Sequence, residues 1–89
     1  MNIEFKKSFA GDLKKKAQQI KLRSRIQEII QEVDNAESLY EIKNLKKLKA
    51  EDDYYRIRIG DYRIGLKIKD GTVIFVRFLH RKEIYRYFP

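Results

Sequence analysis

The apolar positions change period once along this chain. Ile3 and Phe5 alternate with Glu4 and Lys6, so residues 2–6 read as a short strand. After that, apolar residues recur every three or four positions. Phe9, Leu13, Ala17 and Ile20 form a narrow stripe that predicts a helix over 9–20. Ser8 is placed to cap it and Asp12 to favour its first turn, while Lys14-Lys15-Lys16 faces away. Leu22, Ile26, Ile29, Ile30 and Val33 predict a second helix over 22–35. A tight hinge near Lys21 makes the pair a helical hairpin.

Further on the period is two. Leu45 and Leu48 lie in a lysine-rich extended stretch, and Glu51-Asp52-Asp53 is a loop. In 54–59, Tyr55, Ile57 and Ile59 oppose Tyr54, Arg56 and Arg58. Gly60-Asp61 turns the chain. In 62–69, Ile64, Leu66 and Ile68 oppose Arg63, Gly65, Lys67 and Lys69. Asp70-Gly71 is a hairpin signal. Residues 72–79 are mostly apolar, as in a central strand covered on both faces. The tail, 80–88, is a short helix or an irregular end. The expected class is α+β, with an N-terminal strand and a helical hairpin packed on an antiparallel sheet of three to four strands.

Length and composition narrow the class further. With 89 residues the chain makes one domain, 1–89, with one small core. It has no cysteine, which excludes disulfide scaffolds and thiolate metal sites. One histidine, His80, is too few for an ordinary zinc or iron centre, so no metal and no cofactor is expected. No apolar run approaches the roughly 20 residues of a membrane helix. Met1-Asn2-Ile3-Glu4-Phe5 lacks a leader's basic-then-apolar layout, so a cytoplasmic address and no membrane partner are expected.

Charge adds direction. Residues 1–42 hold 8 basic and 7 acidic residues, net +1; residues 43–89 hold 13 and 6, net +7. Such asymmetry suits a polyanionic partner. By strand parity Arg56, Arg58, Arg63 and Lys67 face away from the helices; Arg77, in the doubly apolar strand, is a further candidate for that face, and Arg81, Lys82 and Arg86 come after them. Tyr54, Tyr62, Tyr85 and Tyr87 are interleaved. Cross-strand neighbours lie about 5 Å apart, so guanidiniums so placed repel one another unless an anion sits between them. Arginine grips phosphate through a planar fork, and tyrosine stacks on unpaired bases. The competing expectation is a solvated sheet face whose arginines pair with Glu51, Asp52, Asp53 and Asp61.

Residues 54–68, Tyr-Tyr-Arg-Ile-Arg-Ile-Gly-Asp-Tyr-Arg-Ile-Gly-Leu-Lys-Ile, resemble the core of the RelE/ParE superfamily of bacterial toxins. The ending His80-Arg81-Lys82-Glu83-Ile84-Tyr85-Arg86 resembles its C-terminal signature. The resemblance implies the toxin of a type II toxin–antitoxin pair. RelE-like members are metal-independent endoribonucleases that cleave mRNA on the ribosome. ParE-like members inhibit DNA gyrase and generally lack the basic catalytic set. The resemblance implies Arg56, Arg58, Arg63, Arg81 and Tyr85 as catalytic positions, with His80 as a further candidate. Tyr87 is an alternative to Tyr85. Lys46, Lys47, Lys49, Lys67, Arg77, Lys82, Arg86 and Tyr87 are expected to touch RNA. It also implies a cognate antitoxin, whose partly disordered segment is expected to be acidic to match the basic half.

Cleavage without metal requires a base for the 2′-OH, cations for the phosphorane and an acid for the departing 5′-oxygen. Where relatives place a lysine base, arginine cannot serve, because its pKa exceeds about 12. Arg56 and Arg58 are therefore phosphate clamps, and the base is open between His80 and Tyr85. Histidine titrates near neutrality, and tyrosine serves only where neighbouring cations favour its phenolate. The alternatives are a ParE-like gyrase inhibitor and a nucleic-acid-binding member that cleaves nothing.

Overall fold

The turn residues close the alternating segments into hairpins. Asp70 and Gly71 both take positive φ, 51° and 76°, as a two-residue type I′ turn requires. In the computed structural model, which describes residues 1–49 and 52–89, the chain begins with β1 (Asn2–Phe5), α1 (Lys7–Lys16) and α2 (Ile20–Asn35). A 3₁₀ turn at Leu39–Glu41 leads into β2 (Leu45–Lys47). Then come β3 (Tyr54–Ile59), β4 (Tyr62–Lys69), β5 (Thr72–His80) and α3 (Ile84–Tyr87). Glu51 of the expected acidic loop lies outside the described residues.

The sheet order is β1-β5-β4-β3-β2. Strands β2 to β5 form the expected antiparallel meander, here of four strands. The N-terminal strand does more than pack beside them. It joins the sheet as a fifth strand, parallel to β5, with Asn2 opposite Thr72 and Phe5 opposite Phe75. The sheet is therefore mixed. The reason lies in β5, which is apolar on both faces and needs a neighbour on each edge.

The helical hairpin covers one face. Phe9, Ala17, Ile26, Ile29 and Val33 pack with Ile57, Ile64, Leu66, Val73, Phe75 and Phe78, all buried. Each large side chain buried there contributes about 1.5–3 kcal/mol. Helix α1 ends earlier than the periodicity predicts. Ala17 is buried at the hinge and its carbonyl accepts a 2.6 Å bond from Arg23 Nε. Ile20 opens α2 instead and is 80% exposed. At the far end of α2 the N-terminal ammonium donates to the carbonyls of Asp34 and Ala36 at 3.0 and 2.8 Å, where a helix favours positive charge.

Strand β1 covers only the first half of β5's edge, and α1 covers the rest. Ser8 Oγ donates to the Val76 carbonyl at 2.6 Å, and Asp12 Oδ2 accepts from Phe78 N at 3.0 Å. Ser8 is thus not the helix cap; Lys6 is, and it makes no side-chain cap bond. Asp12 is 8% exposed and binds across to β5. The β4–β5 ladder slips between Gly65 and Leu66, which pair with Arg77 and Phe75, leaving Val76 as a bulge. The bulge reverses strand parity for the rest of β5.

Candidate nucleic-acid interface

The face of the sheet away from the hairpin carries a small apolar cluster and a basic cluster. Leu79, Ile84 and Phe88 are buried together, with Leu48, Tyr54 and Val76 against them. The Phe88 ring lies flat over Gly65, where a Cβ would come within 2.9 Å of three ring atoms. Tyr54 meets the same ring edge-on at 5.5 Å. This packing holds α3 on the face and leaves Tyr85 67% exposed beside the arginines.

Arg58 and Arg63 are direct cross-strand partners, and Arg56 pairs with Gly65 one step along. Arg63 Nη1 donates to the Gly60 and Tyr62 carbonyls, both at 2.9 Å. Arg56 Nη1 donates to the Asn44 carbonyl at 3.0 Å, while its buried Nε has no partner among the described residues. Asn44 itself, at φ 62°, also takes the Arg58 amide at 3.2 Å. Among the described residues, Arg56, Arg58 and Arg63 have no carboxylate within ion-pair distance, and Arg81 has only Asp61, at 4.0 Å. The expected pairing of arginines with Asp52 and Asp53 is absent there. Partial burial and the nearby charges of Arg56, Arg58 and Arg81 push the Arg63 guanidinium below its ordinary pKa, with Tyr85 acting the other way. Five groups from β3, β4, the turn after β5 and α3 thus share one electrostatic environment.

The structure does not bring His80 to this cluster. His80 lies opposite Tyr62 in the ladder, and Tyr62 stacks on Phe78 on the hairpin face at 4.9 Å. The His80 ring meets Tyr62 edge-on at 5.6 Å, so it leaves the sheet on the side away from Arg63. Its Nδ1 accepts from Lys82 N at 3.2 Å, which puts the proton of the neutral ring on Nε2. Arg77 does not stand free either. Asp12 accepts from its Nε at 2.7 Å and its Nη2 at 3.2 Å. That bonding raises the Arg77 pKa further.

The remaining basic positions divide. Lys46, opposite Arg56, and Lys67, opposite Tyr54, share the arginine face. Lys47 pairs with Tyr55 and lies on the hairpin side, its Nζ 5.8 Å from that ring. Lys49, Lys82, Arg86 and Tyr87 are exposed, with the Arg86 guanidinium 5.4 Å from the Tyr87 ring. Two positions had no signal of this kind in the sequence. Asn44 orients Arg56, and Asp12 holds Arg77; each acts through a partner distant in sequence. No group of three His, Cys, Asp or Glu among the described residues is placed to hold a metal ion. No helix among them is long and apolar enough to cross a membrane.

This α+β topology is shared with a class of small toxins. Residues 3–85 match the family model described as the ParE toxin of the type II toxin–antitoxin system. Toxin RelE3 of Methanocaldococcus jannaschii is 49% identical over 90 residues, covering 100% of both chains. A solved RelB-RelE antitoxin-toxin complex from Methanococcus jannaschii contains a chain 47% identical, with a TM-score of 0.77 over 97% of this chain and 99% of that one. A YoeB-YefM complex from Staphylococcus aureus shares the fold, with 24% identity and a TM-score of 0.67 over 90% of this chain and 95% of that one. This chain belongs to the RelE/ParE superfamily of type II toxin–antitoxin toxins.

Proposed function

We propose that this toxin is a metal-independent endoribonuclease that cleaves mRNA on the ribosome and so stops translation. The observation that carries this reading is the set Arg56, Arg58, Arg63 and Arg81, three of them without a carboxylate partner among the described residues, with Tyr85 beside them. Four guanidiniums held together against their own repulsion supply the field that a phosphorane dianion needs. In the proposed reaction the ribose 2′-oxygen bonds to phosphorus as the bond from phosphorus to the 5′-oxygen breaks. The products are a 2′,3′-cyclic phosphate and a 5′-hydroxyl. Arg56, Arg58 and Arg63 hold the non-bridging oxygens and Arg81 the departing side. Tyr85 passes the proton from the 2′-hydroxyl to the departing 5′-oxygen, and His80, on the other side of the sheet, is not part of this set. Lys46 and Lys67 extend the phosphate contacts. The cognate partner is an antitoxin with an acidic segment, in keeping with the complex in which the Methanococcus jannaschii relative was solved.

Inducible expression in bacteria without any partner, with primer extension on a reporter mRNA, tests the reading. Growth arrest with discrete cuts inside translated codons is the expected result. A second reading, gyrase inhibition, is favoured by the ParE description of the matching family model. It predicts arrest with intact mRNA. No arrest at all contradicts both.

A further inference from the structure

Charge in the helical hairpin is sorted along its length. Residues 14–25 contain Lys14, Lys15, Lys16, Lys21, Arg23 and Arg25 and no carboxylate. Residues 26–42 contain Glu28, Glu32, Asp34, Glu37 and Glu41 and no cation. Counting the first 42 residues as a block averages these to +1 and hides both.

Helix stability explains only part of the basic end. Lys14, Lys15 and Lys16 occupy the last turn of α1, where cations are favourable. Lys21 and Arg23 occupy the first turn of α2, where the dipole disfavours them, and that turn has no acidic residue. Some of the charge is neutralised: Lys16 reaches Glu83 at 3.3 Å, and Arg25 reaches Glu28 at 3.1 Å and Glu32 at 3.9 Å. Among the described residues Lys14, Lys15 and Lys21 have no carboxylate within ion-pair distance, and all three are exposed. A shallow cleft of about 340 Å³ opens at this hinge, lined by Lys15, Lys16, Gln18, Gln19, Leu22 and Tyr62. Tyr62 precedes Arg63 in β4, and the Lys16–Glu83 pair ties the hinge to the turn carrying Arg81 and Lys82. The basic surface therefore turns round the end of the sheet, from the arginine face to the hairpin.

We propose that the hinge is a second RNA contact, in which Lys14, Lys15 and Lys21 hold backbone phosphates of the strand that enters the arginine cluster. The proposal rests on the ribonuclease reading. The probe is a labelled uridine oligomer titrated at several salt concentrations against the wild type, Arg63→Ala and the triple variant Lys14→Gln/Lys15→Gln/Lys21→Gln. Each phosphate contact on a single strand contributes about 0.7 to the slope of log K against log salt. The triple variant is expected to lower that slope by about 2 and weaken binding at least tenfold at low salt. Its thermal melt should match the wild type, and Lys21→Gln alone should take about a third of the slope change. An unchanged slope and affinity in the triple variant, with Arg63→Ala weakened, overturns the hinge contact and leaves the ribonuclease reading standing. A triple variant that keeps its RNA affinity but loses affinity for a polyglutamate peptide also overturns it, in favour of an acidic protein partner. A wild type that does not bind the oligomer overturns the hinge contact, and intact reporter mRNA on expression overturns the ribonuclease reading.

Discussion

The tail of this toxin is seated by the absence of a methyl group. Phe88 is 3% exposed and lies over Gly65, and Gly65→Ala would set a Cβ 2.9 Å from its Cγ, Cδ2 and Cε2. The ring has little room to retreat, because Tyr54 stands edge-on to it and Leu79 and Ile84 are buried alongside. The substitution is expected to expel the ring. Returning one large apolar side chain to water loses about 1.5–3 kcal/mol. Replacing glycine by alanine gives back about 0.4–1 kcal/mol by restricting the unfolded chain. The net loss is about 1–2 kcal/mol, a fall in Tm of roughly 5–15 °C for a domain of this size. Phe88→Ala alone should destabilise by about 3 kcal/mol. In the Phe88→Ala background the obstruction is gone, so Gly65→Ala should change sign and stabilise by about 0.5 kcal/mol. Denaturant melts of the four proteins measure this directly. If Gly65→Ala destabilises equally in both backgrounds, the ring–glycine contact is not what holds the tail.

Other expectations concern side chains with separable roles. Asp12→Ala strands the buried Phe78 amide and unpairs Arg77, for about 2–4 kcal/mol, whereas Asp12→Asn keeps an acceptor for the amide and should lose roughly half of that; equal losses in urea melts would place the effect in the charge alone. Arg63→Ala and Arg81→Ala should abolish toxicity on expression while shifting Tm by less than about 3 °C, since neither has a buried carboxylate to strand. A large Tm drop would make them structural. His80→Gln should leave the cleavage rate in a purified assay within about threefold of the wild type, because the ring lies on the hairpin side; a hundredfold loss would bring His80 into the reaction. Stability contributed by the Asp12–Arg77 pair through the raised guanidinium pKa is fully present below the unfolded arginine value and lost only as pH rises through the folded one. Melts between pH 6 and 9, a window well below the raised Arg77 titration, should therefore show no stability change from Arg77.

Local patterning carried much of the architecture. The alternation at 54–59 and 62–69, the Asp70-Gly71 turn and the two helical stripes are short-range signals, and each element appears where they place it to within a few residues. Asp12 could not be read this way. It looks like a first-turn acid, and what makes it a buried anchor is a partner 65 residues away. The parallel pairing of β1 is equally non-local. The position of His80 was hidden for a different reason. Counting alternate residues from Val73 puts Phe75, Arg77 and Leu79 on the hairpin side and His80 on the arginine side. The bulge at Val76 inserts one residue and exchanges Leu79 with Phe78 and His80. Nothing local at 74–78 announces that bulge. The arginine cluster was legible because β3 and β4 alternate without interruption from Arg56 to Arg63.

The pairing of Asn2 with Thr72 has a consequence for how the protein is made. The first strand's ladder partner and the sheet's central strand are synthesised roughly 60 to 70 residues after it. Until they emerge, α1 has no β5 to lie on and the hairpin's apolar face has no completed sheet beneath it. Such long-range closure is slow and cannot begin on a partial chain. Folding therefore waits until β4 and β5 have both emerged, and Arg63, Arg81 and Tyr85 converge only then.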